Sequence, residues 1–176
     1  KQIILEKNVT TENIDETAHD VGVGAVVFNE LSNYRIKDYV FSWDKVLNFE
    51  GETGPYVQYT HARACSILRR AGEDTVMAAK KGFDTSWITG ESAHHLIKLL
   101  YALPEVIKEA GEKYEPSIVT RHIVDIAQGF NKFYHDEHIL VEDEKEKTAK
   151  VALVLAVQTA IKNGLGLLGM KAPEKM

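Results

Sequence analysis

The chain has 176 residues, 44% of them apolar or aromatic, enough to bury a core of ordinary domain size. Its formal net charge of −5 excludes a protein that grips nucleic acid through a bulk basic excess, so any RNA contact has to be local. No run of about 18 apolar residues predicts a membrane partner, the start KQIILEKNVTTENIDE lacks the order of a signal peptide, and the lone Cys65 cannot form an internal disulfide, so a soluble cytoplasmic protein is expected.

Thr10 or Thr11 followed by residues 12–32 reads as a helix with an acidic first turn and apolar Ile14, Ala18, Val21, Ala25, Val26 and Leu31. The dipeptide repeat within it, VGVGA, has no preceding strand and no following Walker lysine, which points to close helix packing and away from a phosphate loop. Residues 35–43, RIKDYVFSW, alternate and carry β-branched and aromatic side chains, the pattern of a short strand or an extended connector.

A helix is predicted from Pro55 to about Ala71, because proline suits a first turn and Gly54 or Thr53 can stand at the cap. At 100° per residue, Val57, His61, Ala64, Cys65, Leu68 and Ala71 share one stripe, which reads as a core face. Tyr56, Tyr59, Arg63, Ser66 and Arg70 share another, in which phenol rings alternate with guanidinium groups that can stack on bases and pair with phosphates. The same spacing also suits a half-buried face whose arginines find acidic neighbours. Cys65, on the apolar stripe, is expected as a small core residue.

Residues 72–89 are polar and glycine-bearing without strong periodicity and read as a variable insert. Ser92 can cap a helix carrying Leu96, Leu100, Leu103, Ile107 and Ala110, which Pro104 bends or restarts. Pro116 opens another, with Val119, Ile123, Ile126, Phe130 and Phe133. After the acidic loop of residues 142–146, a last helix carries Val151, Val154, Leu155, Ile161, Leu165 and Leu168 and ends amid Gly164, Gly166 and Gly169. Amphipathic helices joined by short loops indicate an all-α antiparallel bundle, preceded by a short helix/strand tail. His135, His138 and Glu142 offer helical metal-ligand spacing but no strong fourth ligand, so no metal is expected, and His94 and His95 read as surface residues.

The string TGPYVQYTHAR, preceded by VGVGAVVFNELSNYRIKDYVFSWDKVLNFEGE, resembles the region where the catalytic domain of arginyl-tRNA synthetases passes into their anticodon-binding domain. The ending NGLGLLGMKAPEKM is similar to the carboxyl terminus of that family, which typically finishes on a Pro-x-Arg-Met type sequence. Between them, FNKFYHDEHIL resembles the family's phenylalanine- and tyrosine-bearing helix. The blocks follow the family's order over nearly the whole chain.

The resemblance implies a boundary near Gly51, with residues 1–50 the tail of the catalytic domain and residues 51–176 the helical anticodon-binding domain, of the DALR type. It implies that Tyr134 and Met176 hold the middle anticodon base, a cytosine in arginine tRNAs. Tyr56, Gln58, Tyr59 and Arg63 match the stretch that meets the inner side of the tRNA, and Arg70 and Lys175 are expected to add phosphate or tRNA contacts. Lys175 stands where arginine is commoner in the family, and Lys150 with Val151 where Arg-Leu is usual, so bidentate contacts are not carried over to those lysines.

The HIGH-like and lysine-rich signatures of class I synthetases do not occur here, and the family places both upstream of Lys1. The expected reading is a carboxyl-terminal fragment with no catalytic residue and no cofactor of its own, whereas the whole enzyme uses ATP, magnesium and arginine. Expected partners are arginine tRNA, through its anticodon loop, and the catalytic domain of the same polypeptide. With half their natural packing partners absent, residues 1–50 are expected to add little stability and to expose apolar faces such as Val26 and Phe28 unless a neighbouring molecule or dimer partner covers them. Two other readings compete: a helical protein-interaction domain without RNA binding, and an independent enzyme, for which no convergent ionisable pocket is evident.

Overall fold

The computed structural model describes residues 13–176, in which seven α-helices and one 3₁₀ turn occur and no strand. Helix α1 (Ile14–Ser32) starts at Asn13, whose side-chain oxygen accepts from the Glu16 amide at 3.2 Å while its amide nitrogen donates to the Glu16 carboxylate at 3.0 Å. The first bond satisfies one of the amide donors that the first turn leaves unpaired, and the second holds the two side chains together. The cap candidates Thr10 and Thr11 lie outside the described residues.

Residues 35–43 form no ladder and are the connector alternative, leading into the single turn α2 (Trp43–Val46). Helix α3 (Gly54–Ala71) begins as expected: Pro55 sits in the first turn and the Thr53 hydroxyl accepts from the Tyr56 amide at 3.2 Å. Its entry is fixed by a close crossing with α1. A Cβ on Gly54 would stand 2.8 Å from Phe28 Cβ and 2.9 Å from the Gly24 carbonyl oxygen, and one on Gly24 would stand 2.7 Å from Gln58 Nε2. At Gly54, against Cβ and backbone, only glycine permits that approach; at Gly24, the second glycine of the VGVGA repeat, a side chain would have to displace the buried Gln58 amide. Gly24 is therefore packing hardware, whereas a Cβ on Gly22 would meet nothing within 4 Å.

Phe28 corrects an expectation. It is 1% exposed and joins the main core, because α1 docks on α3 and on the helix at residues 117–136 and so finds its cover within this chain. Val26 is half-buried. The most exposed apolar side chains of residues 13–50 lie in the connector, where Ile36 and Val40 are almost fully solvated.

Residues 72–89 also differ from expectation. Gly72, at φ 86°, breaks the chain out of α3, and a short helix α4 (Glu73–Lys81) follows, with Glu73 and Asp74 in its first turn and Lys80 and Lys81 in its last. Those charges complement the helix dipole at both ends. Few apolar positions are needed in so short a helix, Ala79 buried and Val76 packed on the core, and a periodicity scan passes over it. A 3₁₀ turn (Thr85–Trp87) leads to α5 (Glu91–Lys113), whose cap is Gly90; Ser92 is buried in the first turn instead. The helix runs through Pro104 without restarting. His94 and His95 are exposed.

Helix α6 (Ser117–Asp136) pairs with α5 through a tight corner at Tyr114, whose φ of 52° lets the Glu115 amide reach the Ala110 carbonyl at 2.9 Å. Helix α7 (Glu144–Leu167) packs against α3, α4, α5 and α6. Asp143 caps it by accepting from the Lys145 and Glu146 amides. Phe130, Phe133, Ile123, Ile126, Leu96, Ile161 and Leu165 are the large side chains at the centre, fully buried between α5, α6 and α7. Lys150 ties the α6–α7 connection, donating to Glu137 and Glu146 at 2.8 Å each and to the His138 carbonyl at 3.0 Å. Burial opposes its charge, yet the hydrogen bonds it donates to both carboxylates, with their negative charge, outweigh that and hold its pKa above the usual lysine range. A point charge with three donors serves these three separate acceptors, so no planar fork is required.

Candidate nucleic-acid interface

Helix α3 shows both faces read from its sequence. Val57, His61, Ala64 and Cys65 are buried, and Cys65 is a core thiol whose pKa burial pushes up, away from reactivity. Thr60, Ala62 and Ile67 are buried too, since α1, α6 and α7 all press on this helix. What remains partly open is the stripe of Tyr56, Tyr59, Arg63 and Arg70.

On that stripe the Arg63 guanidinium carbon lies 5.0 Å from the centre of the Tyr59 ring and 5.5 Å from that of Tyr134, which comes from α6. Arg63 thus touches the faces of two phenols, each a little over a third exposed. Its Nη1 donates to Asn131 Oδ1 at 2.6 Å, and Asn131 Nδ2 donates to the Tyr56 hydroxyl at 2.9 Å and the Thr60 hydroxyl at 3.2 Å. One amide therefore fixes Arg63 and Tyr56 together across the α3–α6 seam. Phe49 meets the Tyr59 ring edge-on at 6.5 Å, and Phe130 from the core stacks on Tyr134 at 6.4 Å. The rings are held by neighbours and still offer surface to solvent, which is the preorganised geometry that stacking a splayed base requires.

The structure brings Tyr56, Tyr59, Arg63 and Tyr134 into one cluster. Arg70 stands exposed in the last turn of α3, and Lys175 and Met176 belong to the segment that follows α7. Gln58 is placed differently from the expectation of tRNA contact. It is fully buried, and its Nε2 donates to the Asp20 carbonyl at 3.2 Å and the Lys171 carbonyl at 2.9 Å, so its amide serves the fold instead of meeting RNA. Its place at the α1 crossing, where Gly24 makes room for it, is the reason.

Sequence reasoning gave no role to Asn131, although its i, i+3 relation to Tyr134 was visible within FNKFYHDEHIL. It also gave none to His61 beyond the core. His61 is fully buried with its Nδ1 2.9 Å from the Pro173 carbonyl, to which it donates, leaving Nε2 to accept from Gln158 Nε2 at 3.1 Å. Burial lowers its pKa, with Lys162 adding to that and the Pro173 bond and Glu174 opposing, so the neutral ring prevails.

The model of the DALR anticodon binding domain matches residues 57–176. The chain belongs to the DALR anticodon binding domain family. Curated relatives include the arginine–tRNA ligase of Halothermothrix orenii, 54% identical over all of this chain, and that of Alkaliphilus metalliredigens, 55% identical over 99% of it. The DALR chain spans 30% of the length of each. Among solved structures, the arginyl-tRNA synthetase of Thermus thermophilus superposes with a TM-score of 0.90 at 34% identity, covering 99% of this chain and 30% of its own. The arginyl-tRNA synthetase of Plasmodium falciparum follows the same fold with a TM-score of 0.82 at 25% identity, over 94% of this chain and 29% of its own. No helix among the described residues is long and apolar enough to cross a membrane.

Proposed function

We propose that this DALR domain reads the anticodon loop of arginine tRNA as part of an arginine–tRNA ligase, with the base held on the Tyr59–Arg63–Tyr134 cluster. The observation that carries the reading is the cluster itself: two exposed phenols on different helices, set by one guanidinium that Asn131 anchors. Tyr134 stacks on the middle base and Met176 closes on it. Tyr59 supports a neighbouring base, and Arg63 positions both rings while keeping positive charge near the backbone. Arg70 and Lys175 meet phosphate, which positions the loop without reading sequence. Tyr56 acts through Asn131.

The domain boundary falls near Gly51, in keeping with the family match that begins at residue 57, although α1 packs into the helical bundle across it. The whole protein attaches arginine to its tRNA in the cytoplasm, using ATP with magnesium. The groups that bind ATP and arginine belong to a catalytic domain of the same polypeptide.

Titration of the 176-residue chain with arginine tRNA, and with the same tRNA altered only at the middle anticodon base, tests the reading. A loss of about tenfold or more on the altered tRNA is expected, corresponding to one stacked and recognised base. Equal affinity for both would leave a helical module that does not read the anticodon.

A further inference from the structure

Three side chains spaced along α3 hold the segment that follows α7. Gln58 Nε2 donates to the Lys171 carbonyl at 2.9 Å, His61 Nδ1 to the Pro173 carbonyl at 2.9 Å, and Arg69 Nη1 to the Glu174 carbonyl at 3.1 Å. Upstream, the segment is anchored where Met170 is buried and its amide reaches the Leu165 carbonyl at 2.9 Å, a closure that Gly169 permits at φ 73°. Two of the three donors, Gln58 and His61, are completely buried, and His61 is braced from behind by Gln158 on α7. Without such acceptors these polar groups would be costly to bury, so the segment and its donors require each other.

Lys175 and Met176 follow the last pinned carbonyl directly. Two residues reach at most about 7 Å, which confines Met176 to the neighbourhood of α3, the helix that also carries Tyr59 and Arg63. We infer that Gln58, His61 and Arg69 are positioning residues: they lay residues 171–174 along α3 and so set where Met176 stands when an anticodon base is read. The inference rests on the proposed reading in which Met176 contacts that base.

The test separates the two claims. The chain holds three methionines, Met77, Met170 and Met176, so ε-methyl NMR follows Met176 individually. In His61→Ala, and in the surface variant Arg69→Ala, the Met176 methyl moves toward its random-coil position while Met77 stays. Each lost hydrogen bond makes the segment about 2- to 12-fold more open. Discrimination between two anticodon stem-loops, with cytosine or guanine in the middle position, falls by a similar factor. His61→Asn, which retains a donor for the Pro173 carbonyl, restores part of it. In a chain lacking only Met176 the same substitutions leave discrimination unchanged, because they act only through where Met176 stands. A general structural effect would instead weaken both RNAs equally in both chain lengths, and that outcome overturns the inference. An unmoved Met176 methyl also overturns it. Should the segment loosen and discrimination persist, the positioning role fails; if removing Met176 alone is itself without effect on discrimination, the reading of Met176 fails with it.

Discussion

Replacing Phe28 with alanine asks whether α1 is part of the cooperative fold or an appendage to it. The ring is 1% exposed and packs over Gly54, so close that a Cβ there would lie 2.8 Å from Phe28 Cβ. Glycine cannot fill the space the ring leaves, and the Gly24–Gly54 contact prevents α1 from sinking inward. The site therefore collapses poorly, and the cost belongs in the usual range for a buried phenylalanine, about 3–5 kcal/mol. For a chain of this size that corresponds to a fall in Tm of about 6–20 °C. Val23 is 48% exposed on the same helix, and Val23→Ala should stay within about 0.5 kcal/mol. Calorimetry and urea unfolding of both variants supply the comparison. A loss below about 1 kcal/mol for Phe28→Ala, or a separate low-temperature transition in the parent chain, would show that α1 docks without contributing to the core.

Arg63→Lys keeps the charge but loses the Asn131 bond and contact with one of the two rings; about 1–2 kcal/mol of stability should go, together with part of the RNA affinity, and unchanged values for both would deny Arg63 its bracing role. Gly54→Ala should destabilise by about 1–3 kcal/mol through overpacking against Phe28 and the Gly24 carbonyl, measurable by denaturant unfolding. His61 has a pH signature. Its pKa in the fold lies below the ordinary value of about 6.5, so the unfolded chain binds the proton more readily. Its contribution is complete above about 6.5 and is lost as the pH falls through the window down to the lowered value. Unfolding free energies between pH 7 and 5 should fall less steeply in His61→Asn than in the parent, and identical slopes would count against a neutral buried ring.

The start of α3 was legible because Thr53 and Pro55 act locally, and its two faces because 3.6-residue periodicity needs only neighbours in sequence. Helix α4 was not, since nine residues with Ala79 as the buried position carry too little pattern. Phe28 was misjudged for a different reason: its cover comes from α3 and α6, and the strings that linked residues 1–50 to a catalytic domain said nothing of how α1 packs here. The interface rings could be singled out by composition and resemblance. Their arrangement could not, because the Arg63–Asn131 bond joins residues 68 apart. The misplacement of Gln58 has the same origin. A polar side chain beside tyrosines reads as surface until a carbonyl 113 residues away is seen to accept its hydrogen.

The central claim, that the Tyr59–Arg63–Tyr134 cluster reads a base, is tested most directly by a cycle of two proteins and two RNAs. The parent chain and Tyr134→Ala are titrated at one fixed salt concentration with arginine tRNA and with the same tRNA carrying a different middle anticodon base, circular dichroism verifying the fold of each protein. Tyr134→Ala should lose about 1–3 kcal/mol on arginine tRNA and much less on the altered tRNA, where phosphate contacts dominate, while Tyr134→Phe keeps most of the affinity. Equal losses on the two RNAs would mean that Tyr134 supports the domain and does not read the anticodon.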